Sequence, residues 1–356
     1  MNAKEQMIYE LIRNNPYITQ LELSERLNIS RSAIAGYISS LTRSGDIVGR
    51  AYVLNEGKKI LCVGGANIDR KAKLDQDFKW RDSNPVYVTE SVGGVARNVA
   101  ENLSRLHVST SLFTATGYDQ ESEKMWLGSS MIDRSASLQK HGERTGSYTA
   151  VLDAENEMMF ALADMDIYDS ITLDDLNKVA SHIRTASILI LDTNFPENVL
   201  QEIIQNKRKE QLLAVVPVSA KKINRLPENL SNVDYLILNN DELDALVERF
   251  SINSALDVKE KMLELKKHGV KNIIVTLGKK GVYYVTKVEE GFIEAVPAKV
   301  KDVTGAGDAF AAGFFYATFH EKTVLEACKH GLCLAKFTLE TNDSVAKNLD
   351  ETVFDL

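Results

Sequence analysis

The stretch Lys301-Asp302-Val303-Thr304-Gly305-Ala306-Gly307-Asp308-Ala309-Phe310 joins a small-residue turn, a carboxylate and an apolar run that continues through Phe315. That order predicts a loop opening into a buried helix. Helix N-termini leave backbone N–H groups unpaired and present the positive end of the peptide dipole, so they hold anions. Gly305 and Gly307 would let the backbone approach such an anion closely. Asp308 in the same place is a poor anion ligand, because like charges repel. An acid beside an anion site is better suited to taking a proton from a nucleophile that attacks phosphorus. The alternative is a tight turn before a core helix, with Asp as its N-cap.

The elements that would position these residues emerge from the rest of the chain. At 356 residues it suits two domains, or one large and one small. A hydrophobic content of 44% with 26% charged residues is ordinary for a soluble globular protein. No apolar run approaches the roughly 20 residues that cross a bilayer, and the start lacks a signal-peptide pattern, so a cytoplasmic protein without membrane contact is expected. Cys62, Cys328 and Cys333 sit in apolar surroundings without a Cys-x-x-Cys pair, as reduced core thiols do. The six histidines are scattered without metal-ligand spacing. The net charge of −8 is uneven: the first 59 residues hold eight Lys/Arg and six Asp/Glu, a balance of +2, leaving −10 for the rest. Any nucleic-acid contact therefore belongs to the head of the chain.

Residues 4–14, 19–27 and 31–43 read as helices, the third capped by Ser30 and burying Ile34, Tyr37, Ile38 and Leu41. Ile47–Leu54 has strand-turn-strand character. Three short helices and a β-ribbon resemble a winged helix-turn-helix, in which the third helix enters the major groove. Ser30, Arg31, Ser32 and Arg50 are then the DNA-contact candidates. A small packing or dimerisation module is the alternative. From Lys59 the chain alternates strand-length apolar runs (60–64, 187–191, 212–216, 235–238, 272–276) with helical stretches (94–106, 172–184, 196–208, 240–249, 255–268). This predicts an α/β fold: a doubly wound, mostly parallel sheet with ligands beyond the carboxyl ends of its strands, where Asn67, Asp69, Asp192, Asn194, Asn239 and Gly278 fall. Residues 70–92 and 146–166 break the rhythm with short strand-like segments. They could form a small β lid that keeps water from a phosphoryl-transfer site. The division expected is 1–57 for the head and 58–356 for the body.

Gly93-Gly94-Val95-Ala96-Arg97-Asn98-Val99-Ala100, followed far downstream by Asp302-Val303-Thr304-Gly305-Ala306-Gly307-Asp308, resembles the two signatures of the PfkB (ribokinase-like) kinases, over roughly residues 59–350. The resemblance implies a ribokinase-like fold and an ATP- and Mg²⁺-dependent kinase. Asp308 resembles the family's catalytic base, and Gly305, Ala306 and Gly307 its anion hole. Asn67, Asp69, Gly93, Gly94 and Asn98 match substrate-side positions. Asn239 and Glu242 match an Asn-x-x-Glu pattern associated with metal-bound phosphates. Thr276, Gly278 and Gly281 belong to a loop that lies along the nucleotide. Asp302 and Thr304, with the late loop near Thr341-Asn342, occupy the region where relatives bind a monovalent cation such as K⁺.

Three stretches resemble pseudouridine kinases within that family: 82–85, Gly146–Tyr148 with Ala163–Ile167, and Pro217–Lys222. They place Ser83 and Lys222 at base-side and substrate-side contacts. One departure is Val216-Pro217, where Asp-Pro is usual. The implied reaction is phosphorylation of the 5′-hydroxyl of a nucleoside, pseudouridine first. Another nucleoside such as inosine, a free sugar, or a ligand-sensing regulator are the alternatives. A homodimer is expected, because winged heads read paired half-sites.

Overall fold

The computed structural model describes residues 1–49 and 57–354. The head consists of helices Ala3–Asn14, Gln20–Leu27 and Arg31–Ser44. Each has a side-chain cap: Asn2 with Glu5 and Thr19 with Glu22 form reciprocal capping boxes, and the Ser30 hydroxyl accepts from the Ala33 N–H. Left-handed residues end the second and third helices, Asn28 at φ +52° and Gly45 at φ +82°. The helices close on a small core of Ile8, Ile12, Ile18, Leu23, Ile34, Ile38, Leu41 and Ile47. The head is seated on the body: a Cβ on Gly45 would lie 2.8 Å from the Arg184 carbonyl oxygen. Arg50 and the second half of the β-ribbon lie outside the described residues.

The body is built on an eight-stranded sheet. In spatial order the strands are Glu290–Glu294, Gly281–Val285, Asn272–Thr276, Tyr235–Asn239, Leu212–Val215, Ile188–Leu191, Ile60–Val63 and Thr110–Phe113. The last six run parallel, and the first two join antiparallel at one edge. The central strands are apolar on both faces, as a sheet covered twice must be. Leu61, Val63, Leu189 and Leu191 pack into one layer with Ile203, Leu246 and Met262, while Ile60, Cys62, Ile188 and Ile190 pack into the other with Val99, Phe310 and Leu334. The doubly wound architecture expected from the alternation is therefore present. The helical stretch expected over 172–184 is two helices, Leu173–Lys178 and Ala180–Thr185, because Val179 (φ −105°, ψ 9°) leaves the α region between them.

Helices Ala306–Phe319 and Val324–Leu339 lie on the second layer beside Val95–Arg105. Ala306–Phe319 is apolar all round, which fits a helix enclosed on every side. Two glycines allow the close approach. A Cβ on Gly313 would meet the His330 carbonyl oxygen at 2.5 Å, and one on Gly331 the Phe310 ring at 2.8 Å.

A second, four-stranded sheet stands apart, ordered Val86–Gly93, Asn67–Leu74, Ser147–Leu152, Met158–Asp164. It is formed by the two segments that break the α/β rhythm. Asn67 pairs with Gly93 at its base and Leu74 with Val86 at its far end.

Gly281 has a structural reason independent of any ligand. It sits at φ +128° where the antiparallel edge begins, and a Cβ would lie 2.0 Å from the Ile293 carbonyl oxygen. Gly281→Ala should therefore lower unfolding free energy by about 2–3 kcal/mol, through backbone strain and a displaced edge strand. Urea denaturation checks this; a midpoint equal to wild type would reject it.

Candidate functional site

Because the six strands are parallel, their carboxyl ends share one rim. Gly64, Asp192, Asn239 and Thr276 lie there, at or just past the ends of Ile60–Val63, Ile188–Leu191, Tyr235–Asn239 and Asn272–Thr276. The Ala306–Phe319 helix delivers Asp308 in its first turn, after Gly305 at φ +80°. A Cβ on Gly305 would fall 2.2 Å from the Ser344 carbonyl oxygen, so the turn is pressed against the late loop and needs glycine.

Asp308 is half-buried, and its Oδ2 accepts from Asn98 Nδ2 at 2.7 Å. The orientation of the Asn98 amide is dictated from behind. Arg97, buried and able only to donate, points Nη1 at Asn98 Oδ1 (3.1 Å), which leaves the NH₂ for Asp308. Arg97 is itself held by Ser129 Oγ at 2.8 Å and the Gly128 carbonyl at 2.7 Å. Burial pushes the Asp308 carboxyl up to about 7, against the Asn98 hydrogen bond and with added repulsion from Asp192, Asp69 and Glu242.

The second hub is Asp192, fully buried. Its oxygens accept from the N–H groups of Gly65 (2.8 Å), Ala96 (3.2 Å) and Asn194 (2.7 Å), and from Asn194 Nδ2 (2.9 Å). It thereby ties the end of the Ile60–Val63 strand to the start of the Val95–Arg105 helix. Its neighbours must be glycines: a Cβ on Gly64 would lie 2.1 Å from the Asp192 carboxyl, and one on Gly65 would lie 2.3 Å from Asn194 Nδ2. Gly94 at φ +99° would strike the Gly65 carbonyl at 2.4 Å, and Gly93 the Asp69 carboxyl at 1.9 Å. Asn194 Oδ1 accepts from Lys222 Nζ at 2.5 Å, and burial holds that ammonium below the usual lysine range.

Asn67 and Asp69 open the lid strand, with Asn67 Nδ2 donating to Asp69 Oδ1 at 2.5 Å. Burial pushes Asp69 up to about 6. On the other side Asn239 and Glu242 form the capping box of the Asn240–Arg249 helix: Asn239 Oδ1 accepts from the Glu242 N–H (2.8 Å) and Glu242 Oε2 from the Asn239 N–H (2.9 Å). Burial raises Glu242 to about 7. Thr276 ends its strand with Oγ1 directed at the Leu238 carbonyl (3.3 Å), and exposed Gly278 (φ +55°) has open space where a Cβ would be. Asp302 accepts from Thr304 N–H and Oγ1 and from Lys71 Nζ; these contacts outweigh burial and hold it below the usual carboxylate range.

The structure thus brings together Asn67, Asp69, Gly93, Gly94, Asn98, Asp192 and Asp308, with Lys222 reached through Asn194. Ser83 is not among them: it is exposed in the loop between Leu74 and Val86, which joins the two strands at the end away from the Asn67–Gly93 base. Arg97 and Lys71 were not singled out by their chemistry, although both sit beside quoted motif residues. Asn67, Asp69 and Lys71 share one strand face at a spacing of two, a signal the alternation contains. Three carboxylates with raised affinity for protons around one rim make a site that favours a cation-escorted anion over a bare one. Among the described residues no group of three or more His, Cys, Asp or Glu could hold a metal ion by itself.

The Asp308 shift carries a sign. Its folded value lies above its unfolded one, so its contribution to stability is complete at low pH and is lost as pH rises through about 7. Asp308→Asn escapes that loss. The melting temperature of the variant minus that of wild type should be larger at pH 8 than at pH 5; a gap independent of pH would contradict the raised value.

Comparison with known proteins identifies the family. The family model for pfkB family carbohydrate kinases matches residues 57–350, and one for a winged helix-turn-helix DNA-binding module matches residues 1–47. An uncharacterized sugar kinase of Escherichia coli is 30% identical over 320 residues, covering 89% of this chain and 88% of that protein. The pseudouridine kinase of Escherichia coli is 31% identical over 265 residues, 73% of this chain and 83% of that one. A carbohydrate kinase structure from Agrobacterium tumefaciens superposes with a TM-score of 0.71 at 30% identity, covering 84% of this chain and 96% of that one. With its two glycine-bearing signatures meeting at Asp308 on a ribokinase-like sheet, the chain belongs to the pfkB family of carbohydrate kinases, as a sugar or nucleoside kinase with a winged helix-turn-helix head.

Proposed function

We propose that the body, residues 58–356, transfers the γ-phosphoryl group of ATP to the 5′-hydroxyl of a nucleoside, pseudouridine in the first place. The observation that carries the reading is the placement of Asp308: a carboxyl raised to about 7, oriented by Asn98, in the first turn of a helix directly after Gly305, Ala306 and Gly307. A base near neutrality combines a useful ionised fraction with proton affinity at working pH. In this reading Asp308 takes the hydroxyl proton during in-line attack. The helix N-terminus holds the charge of the transferring group, and the four-stranded lid excludes water that would compete as acceptor.

Asn67, Asp69, Asn98 and Lys222 are assigned to the nucleoside, and the Gly93-Gly94 turn provides backbone close to it. Ser83, placed at the far end of the hairpin, rests on resemblance alone. Asn239, Thr276, Gly278 and Gly281 are assigned to the nucleotide side. Bound Mg²⁺ would neutralise phosphate charge. Mg²⁺ keeps several waters and needs only one or two carboxylates besides phosphates, so the half-engaged Glu242 suits it better than an all-protein cage would. Pseudouridine is favoured over other acceptors by the matched stretches at 82–85, 146–148, 163–167 and 217–222, together with the likeness to a pseudouridine kinase.

A second role belongs to residues 1–57. Arg31 and Ser32 are exposed at the start of the Arg31–Ser44 helix, whose outer face is free of bulky side chains at Ala35, Gly36 and Ser39. Ser30 is engaged as its cap, so it contributes through helix geometry and, with Ser32 at 3.1 Å, through a shared hydroxyl pair. We assign this helix to the major groove of DNA, in a homodimer that reads two half-sites.

Phosphoryl transfer should be highest in kcat/KM for pseudouridine among pseudouridine, uridine, inosine, adenosine, ribose and fructose. A different best acceptor would remove the substrate assignment and leave Asp308 in place. Asp308→Asn should lower kcat by about 10²–10⁴-fold with little change in nucleoside affinity; equal turnover would exclude the base. In wild type log kcat/KM should fall with unit slope below pH about 7, and Asn98→Ala, which deletes the bond favouring the ionised form, should move that limb to higher pH. A gel shift with the gene's own upstream DNA should be lost in Arg31→Ala without loss of kinase activity; binding unchanged by that substitution would reject the groove assignment.

A further inference from the structure

Asp302 stands three residues before Gly305, and both oxygens of its carboxylate are engaged by the protein itself. Oδ1 accepts from the Thr304 N–H (2.9 Å) and Thr304 Oγ1 (2.7 Å), and Oδ2 holds Lys71 Nζ at 2.5 Å. The same ammonium lies 3.5 Å from Thr304 Oγ1. Lys71 comes from the lid strand Asn67–Leu74, 231 residues away in sequence, and shares a strand face with Asn67 and Asp69. On the opposite side of the turn the Ser344 carbonyl packs against Gly305, and Ser344 Oγ donates to the Val92 carbonyl at the end of the lid hairpin (3.2 Å). The anion-holding turn is therefore clamped between a lid lysine and the late loop.

The resemblance to relatives puts a monovalent cation at Asp302 and Thr304. These residues do not fit one here. The carboxylate that would neutralise the ion already carries an ammonium, and a second cation beside it would meet a like charge. We propose that Lys71 is a positioning residue whose ammonium replaces that cation, so that the chain orders its phosphate-holding turn with a charge of its own and links the order of the turn to the seating of the lid strand. The proposal rests on the kinase reading above and concerns that same site.

The test uses the full-length protein at constant ionic strength, with tetramethylammonium exchanged for K⁺, Na⁺ or NH₄⁺. Wild-type kcat should vary by less than about twofold across the series, and its melting temperature should not respond to K⁺. Lys71→Met should lose about 10- to 100-fold in kcat with a smaller change in nucleoside KM, as expected for a misplaced catalytic turn. K⁺ or NH₄⁺, but not tetramethylammonium, should restore part of that loss and raise the variant's melting temperature. A wild type that needs K⁺ to turn over or melts higher in its presence would overturn the proposal. So would a Lys71→Met enzyme as fast as wild type, or one whose defect and melting no small cation alters. If Lys71→Met does not fold, the wild-type cation series decides alone. A wild type inactive on every acceptor in every salt would count against the kinase reading instead, and the melting series would still judge the role of Lys71.

Discussion

A carboxylate held in low dielectric at the N-terminus of a wholly apolar helix is the constraint on which the rest of this molecule depends. The Ala306–Phe319 helix can be apolar on all sides only because other elements enclose it, and Gly313 and Gly331 allow its partner helix to come that close. Enclosure withdraws water from Asp308, raises its proton affinity and leaves the helix dipole unscreened where a transferred phosphoryl group would lie. One packing arrangement thus produces both a carboxyl raised to about 7 and a helix end suited to an anion. The cost is a cluster of acids that repel one another, which the fold meets with oriented donors: Asn98 on Asp308, three N–H groups on Asp192 and Lys71 on Asp302.

Those donors reach their acids because glycine lines the rim. Gly64, Gly65, Gly93 and Gly94 each face a carboxylate, a carboxamide or a carbonyl at a distance no side chain could share. Asp192 is the fastener in this arrangement, joining the first strand to the helix that carries Arg97 and Asn98. The buried Arg97 fixes which end of the Asn98 amide meets Asp308, at the expense of burying a guanidinium whose own proton affinity falls to about 10.

Glu242 shows how a helix cap can leave a carboxylate available on the rim. Asn239-x-x-Glu242 closes the N-terminus of the Asn240–Arg249 helix as a reciprocal cap, an arrangement that would stand without any ligand. That cap also fixes a carboxylate of raised proton affinity on the same rim as Asp308. The cap uses Oε2 only, so the metal role proposed for Glu242 does not compete with it.

Much was legible in the sequence, for a physical reason: local patterns report local constraints. Continuous apolar runs from Lys59 onward record strands buried on both faces, and period-3.6 patterns record helices buried on one, so the doubly wound sheet, the segments that depart from it and the three helices of the head could all be read. Within the two glycine signatures, Gly93, Gly94 and Gly305 make contacts that no side chain could share, whereas Gly307 has open space where a Cβ would be. The short strands Thr110–Phe113, Gly281–Val285 and Glu290–Glu294, at or next to the sheet edges, lack a distinct signature, and the break at Val179 is invisible in an unbroken helical pattern. Pairings between distant segments were decided by tertiary structure alone: Asn98 with Asp308, Arg97 with Ser129, Lys222 with Asn194, and above all Lys71 with Asp302 across 231 residues. By itself the sequence determined which residues could act and which backbone turns had to be glycine. Which carboxylates lose water, which keep a partner and which charge stands beside the anion-holding turn depended on burial and proximity, and those exist only once the lid and the sheet have folded against each other.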